Sequence, residues 1–186
     1  ALTSDQIAAI STAGIAALTT AQVAAIETVD LATMRTTQIS ALSTRQIQSG
    51  LTTDQVVALN TAQITALTTR QMAALTTDQM VAMETVDVAV LRSSQVAALA
   101  NATLQALTTD QLAVLSTTVI AGLSTVQVQN GLTTDQVAAL NTAQVAALTS
   151  RQIAAFTTTQ VAAIETQDLN VLQSRQVAGL STRDLQ

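Results

Sequence analysis

The strongest constraint on this chain is a strict eight-residue repeat, and a repeat that short and regular dictates an array of identical units. With unit positions a to h, the pattern is Leu-Thr-Thr-x-Gln-Val-Ala-Ala. It begins at Leu2 and runs to the end as 23 units, the last one truncated. Position a is Leu, Ile, Met or Phe in every unit, from Leu2 to Leu180. Position f is Ile, Val, Leu or Met, from Ile7 to Leu185. Position c is always Thr, Ser or Asn. Position e is Gln in 16 units and Asp in four: Asp30, Asp87, Asp168 and Asp184. Positions g and h are mostly Ala.

An octad cannot continue as one straight helix. At about 100° per residue it advances roughly 800°, which leaves the apolar stripe about 80° out of register at each unit. A regular two- or three-stranded coiled coil is therefore excluded, and the chain must turn once per unit. Each unit also carries its own helix start. In Leu51-Thr52-Thr53-Asp54-Gln55-Val56, Thr52 serves as N-cap, Gln55 at N3 completes a capping box, and Leu51 and Val56 form the hydrophobic staple. Asp54, Asp78 and Asp135 fall at N2, facing the positive end of the helix. The Ala and Leu that follow favour helix. The expected fold is thus all-α: a solenoid of short helices, one per eight-residue repeat. The alternative is a β-solenoid with Thr and Gln ladders, which the Ala pairs and the scarcity of Gly, Asn and Pro at corners fit poorly. Where b is Glu or Arg (Glu27, Glu84, Glu165, Arg35, Arg92), either c takes over as cap or the c hydroxyl bonds at the corner.

Residues 1–186 form a single array, with a longer repeat laid over the octads. Two units have nine residues and end in Gly50 and Gly131, 81 residues apart. Laying residues 42–105 on 123–186 gives 41 identities in 64, so the blocks are 42–122 and a partial copy, 123–186. The extra residue calls for an unusual backbone angle that glycine supplies. One unit cannot order itself alone, because two buried side chains do not offset the entropy of fixing eight residues; neighbouring repeats are its necessary partners. Glu27 with Arg35, Glu84 with Arg92, and Arg70 with Asp78 lie one unit apart and are expected to form surface pairs.

The side-chain alphabet limits the chemistry. Cys, His, Lys, Pro, Trp and Tyr are absent, and Phe156 is the sole aromatic. Without His, Cys or Lys, the usual general base, thiolate nucleophile, Schiff-base amine and transition-metal ligands are missing. The carboxylates sit singly in separate units, and no Asp-x-Asp-x-Asp-Gly run marks a calcium loop. Met34, Met72, Met80 and Met83 occupy a or f and read as core. No catalytic, cofactor-binding or metal-binding residue is expected, and no enzyme. A net charge of −5, with seven Arg spread along the chain, argues against nucleic acid. No apolar run is long enough for membrane insertion. With no signal-peptide pattern and no initiating Met, the chain reads as a piece of something longer.

The octads 51–58 and 132–139 resemble repeat regions of very large exported bacterial proteins described as adhesins or as haem-utilisation and adhesion proteins. The resemblance spans the whole chain, is one of repeat style, and transfers no functional residues. It implies an extracellular or cell-surface location. Repetition, low charge, the absence of Cys and the 81-residue duplication suit a spacer or stalk; the alternatives are a binding module for a surface protein or glycan and a self-assembling scaffold. Haem binding is not expected, since His, Cys and Tyr are missing.

Overall fold

The computed structural model describes residues 4–180, and all statements below concern those residues. The chain winds as an all-helical solenoid of 22 short helices, α1 (Ser4–Ala9) to α22 (Ser174–Val177), one per octad and with no strand among the described residues. The helices are four to seven residues long, the shortest about one turn. Helices this short are not stable alone, so what holds them is packing.

The corner has a simple construction. The helix starts at position c. After position g or h the chain passes through an extended a residue and an extended b residue, as in Leu67 (ψ 129°) and Thr68 (ψ 160°). The backbone N–H of a donates to the carbonyl of f, three residues back, as from Leu67 to Ile64 at 3.2 Å. No residue needs a positive φ, which explains why the corners do without Gly and Asn. Position b is the N-cap of every helix from α2 (Thr12–Ala17) onward. Where b is Glu27, Glu84 or Glu165, the b side chain makes no cap bond, and position c does not take over: it remains the first helical residue. The invariance of c has no single structural reason. Ser93 Oγ reaches the Thr118 carbonyl and Thr142 Oγ1 reaches Asp168, but most c residues lie exposed.

Each helix packs on the third one after it, from α1 on α4 (Thr28–Thr33) through to α19 (Ser150–Ile153) on α22. Polar side chains bridge residues 25 to 32 apart, so one turn of the solenoid takes between three and four units. The interior is filled by f side chains, nearly all fully buried, with the a side chains at the corners almost as deep; Leu91 and Leu99 are each 4% exposed. Near the first and last coils the a residues Ile10, Leu18 and Leu172 are only partly buried. Position g is mostly on the outside, where Ala helps through helix propensity more than through burial, as its replacement by Val57 (43% exposed) shows.

This stacking corrects the charge pairs expected between consecutive units. Units that follow each other in sequence do not lie on top of each other; units three apart do. Arg35 Nη2 instead donates to the Ile10 carbonyl (3.4 Å), and Arg92 Nη2 to that of Thr65 (2.9 Å), so both arms clamp backbone of the previous coil.

The glycines are also corrected. Neither Gly50 nor Gly131 has a positive φ. Each extends its helix to seven residues, α6 (Thr44–Gly50) and α16 (Thr125–Gly131), and both are buried. The longer helix presses against the helix three before it. A Cβ on Gly50 would stand 3.2 Å from Val23 Cβ, and one on Gly131 only 2.9 Å from Leu104 Cδ2. Glycine is needed here for close approach, not for an unusual angle.

Candidate functional site: the glutamine ladder

Position e is the part of the octad whose chemistry goes furthest. At N3 its side chain points back to the N-cap, and the Gln oxygen accepts the N-cap backbone N–H, at 3.0 Å from Thr52 to Gln55 and 2.8 Å from Thr68 to Gln71. The N-cap hydroxyl returns the bond by accepting from the Gln backbone N–H, which completes the capping box. Because the N-cap N–H can only donate, the amide oxygen must face it, and that fixes the orientation of the amide. The NH₂ group is then turned towards the neighbouring coil.

There it meets two backbone carbonyls at a corner of the preceding turn. Gln71 Nε2 donates to Ile39 O and Leu42 O, both at 2.8 Å. Gln95 reaches Ile64 O (3.0 Å) and Leu67 O (2.9 Å), and Gln144 reaches Leu112 O (3.0 Å) and Leu115 O (2.8 Å). The rule is the same from Gln38 to Gln160: the acceptors are the f carbonyl four units back and the a carbonyl three units back. These side chains are buried, and the a carbonyl, which the helix itself leaves without a partner, is satisfied by the ladder.

The ladder also absorbs the nine-residue units. Gln46 reaches its a carbonyl 28 residues back, whereas Gln55, Gln63 and Gln71 reach 29 back, across the extra residue. Gln79 lies opposite the long unit itself and bonds Ile47 O and Leu51 O, four residues apart instead of three, at 2.8 and 2.7 Å. After that, Gln95 is back at 28.

Sequence reasoning found the capping half of this arrangement and missed the ladder half. The signal was present. Glu completes a capping box as well as Gln does, yet no unit has Glu at e. Only an amide offers an acceptor for the cap and two donors for the coil behind.

Six described units lack Gln at e. Thr103 keeps one bond, to Leu75 O at 3.4 Å. Val119 is buried and donates nothing from its side chain. Gly14 lies in the first coil, ahead of any ladder acceptor. The Asp residues form the remaining class. Asp30 is buried and accepts from Ser4 Oγ; Asp168 is buried and accepts from Thr142 Oγ1 at 2.6 Å. Asp87 is 2% exposed, and burial, together with the nearby Glu84 carboxylate, pushes it up to about 6. Asp184 lies outside the described residues. The Asp residues at e do not converge: among the described residues no group of three or more His, Cys, Asp or Glu is placed to hold a metal ion. A cavity of about 330 Å³ opens at the first coil, lined mainly by apolar Ile7, Leu18, Ala25 and Ile26 with Glu27 and Asp30 at its edge. No described helix is long and apolar enough to cross a membrane.

Comparison with known families agrees with the register derived above. The family model described as ALTTAQ repeat matches five overlapping stretches, at residues 23–61, 56–85, 80–117, 106–142 and 131–164. Those six letters are positions h to e, the corner, the N-cap and the ladder Gln together, as in 17–22, and with Asp at d in 106–111. No curated protein and no solved structure matches the chain.

Proposed function

Given that this chain belongs to the ALTTAQ repeat family, we propose that it is a non-catalytic structural segment, a spacer or stalk in a large secreted or cell-surface bacterial protein of adhesin type. The observation that carries this reading is the ladder from Gln38 to Gln176. The polar groups of the interior are spent on holding one coil to the next, by the same bonds at nearly every turn. In such an array each unit touches only near neighbours, so the number of units sets length without changing the local structure. The 81-residue duplication fits a part whose length is adjusted by whole blocks. The resemblance of the octads to exported repeat proteins supports the outside location.

The test is small-angle X-ray scattering of this chain beside a version lacking residues 42–122, which joins Ala41 to Leu123 in register. The cross-sectional radius should stay the same while the longest dimension falls in proportion to the residues removed. A shortened chain that collapses to a different cross-section would overturn the spacer reading. A self-assembling scaffold would show as concentration-dependent growth in the same experiment. A binding module would show as saturable attachment of the chain to cells or glycans, lost on changing a fixed group of exposed residues.

A further inference from the structure

We propose that Asp87 is a proton-operated joint in the ladder: neutral, it donates its single O–H to the corner formed by the Val56 and Leu59 carbonyls, and as the carboxylate it releases that corner. The geometry assigns the corner. Gln95 and Gln111 reach carbonyls 28 and 31 residues back. The same spacing from position 87, with no nine-residue unit in between, gives Leu59 and Val56. At every Gln unit these two acceptors receive an NH₂ group. At position 87 the same register, on a helix packed against α8, sets a buried acid in the place of that amide, and an acid is a donor only while it holds its proton. The acid is buried, so its charged form is disfavoured by lost hydration. The comparable Asp168 takes a hydrogen bond from the Thr142 hydroxyl. Thr61, in the corresponding place for Asp87, is not among its hydrogen-bond partners.

The surroundings add no compensating cation. The packed helix α8 (Thr61–Ala66) has no ionisable side chain, and α14 (Thr109–Ala113) contributes only the exposed Asp110. The corner's own helix, α7 (Thr53–Val57), brings the exposed Asp54, and Glu84 stands three residues before Asp87. Arg92 is engaged with the Thr65 carbonyl. The sign follows from the raised value. The folded chain holds the Asp87 proton up to about pH 6, and the unfolded chain loses it near the ordinary 3.8. Stability from this site is fully present below that lower value and is lost as the pH rises through the higher one. This is opposite to the usual acid-sensitive carboxylate, and it places an acid-tightened joint near the middle of the array.

The experiment uses the full chain. The carboxyl carbon of Asp87 is followed by NMR across the titration, and hydrogen-exchange protection is measured for the amides of 85–92 at about pH 5 and about pH 7.5. Asp87 should titrate near the higher value, and protection should be roughly tenfold or more greater in acid. Asp87→Gln should hold the acid-level protection at both pH values, because it supplies the ladder amide permanently. Three results overturn the proposal: titration of Asp87 in the ordinary carboxylate range, a pH difference that survives in Asp87→Gln, or millimolar calcium at about pH 7.5 reproducing the effect of acid, which would make a cation and not a proton the closing group.

Discussion

Two neighbouring stretches of five units make an informative pair. In residues 42–82 the e positions are Gln46, Gln55, Gln63, Gln71 and Gln79, and every one bonds two carbonyls of the coil behind. In residues 83–122 they are Asp87, Gln95, Thr103, Gln111 and Val119, so every second rung is altered. The apolar core does not distinguish the two. The a and f side chains are buried throughout both stretches. The array is therefore held by two independent systems, an oily one that is uniform along its length and a polar one that is interrupted in the middle. Capping differs as well: Ala100 starts α13 (Asn101–Gln105) with no side-chain cap, while each N-cap from Ser43 to Thr76 has one. The central stretch should be the first to open.

The largest effect should come from changing the phase of the array rather than its chemistry. Deleting residues 67–74 joins Ala66 to Leu75, restores the octad, and leaves every later Gln opposite an f and a carbonyl pair. It should melt close to the parent. Deleting residues 67–70 joins Ala66 to Gln71, removes the corner at Leu67 and moves all later rungs by half a unit. Both neighbouring interfaces are lost, and thermal melting should show a much lower midpoint or two separate transitions. Equal melting of the two deletions would mean that the octad is not the structural unit.

Next in size is the core, which tests whether it really is uniform. Leu59→Asp, under the intact stretch, and Leu91→Asp, under the interrupted one, should each cost about 3–5 kcal/mol in chemical denaturation, because each buries an unpaired charge. Ser94→Asp, at an exposed d position, should stay within about 0.5 kcal/mol. A large gap between the two Leu variants would show that the ladder and the core are coupled.

The ladder itself should come third. Gln71→Glu keeps the acceptor for the Thr68 N–H but removes both donors and sets a carboxylate against the Ile39 and Leu42 carbonyls. It should lower stability at neutral pH by about 2–3 kcal/mol, the scale of leaving buried polar groups unsatisfied. Part of the loss should return on acidification. If Gln71→Glu matches the parent at neutral pH, the cap half carries the stability and the ladder half is incidental. The smallest effect is the reverse change. Val119→Gln and Thr103→Gln each offer a missing rung, to the carbonyl pairs Val88 with Leu91 and Met72 with Leu75, and should each gain about 1 kcal/mol. Hydrogen exchange across 83–122 should slow towards that of 42–82.

Much of this fold can be read from the sequence because its determinants are local. The period rules out a continuous helix, Thr and Gln three apart mark each helix start, and the a and f residues name the core. What escaped reading depends on which units lie on top of each other. Nothing within eight residues reports that a turn takes between three and four units. Glu84 and Arg92 were therefore expected to pair across one unit, although Arg92 reaches the backbone of an earlier coil. For the same reason Gly50 and Gly131 suggest, in the sequence, an unusual backbone angle that the fold does not use. Their small size matters only against Val23 and Leu104, 27 residues earlier in each case. The second function of Gln was hidden by the completeness of the first: a capping box accounts for a Gln at N3 and gives no cause to look for more.

The direction of the rungs has a consequence for how such a chain comes into being. Every ladder amide donates to residues that precede it, by 28 to 32 positions, and none waits for residues that follow. As the chain leaves the ribosome, or passes through a pore with its amino end leading, each new coil arrives with its acceptors already standing. Contacts close within about one turn of sequence, the kind of locality that makes assembly fast. The array can thus be completed coil by coil at the rate at which chain is supplied, with never more than about one coil of its interior awaiting cover.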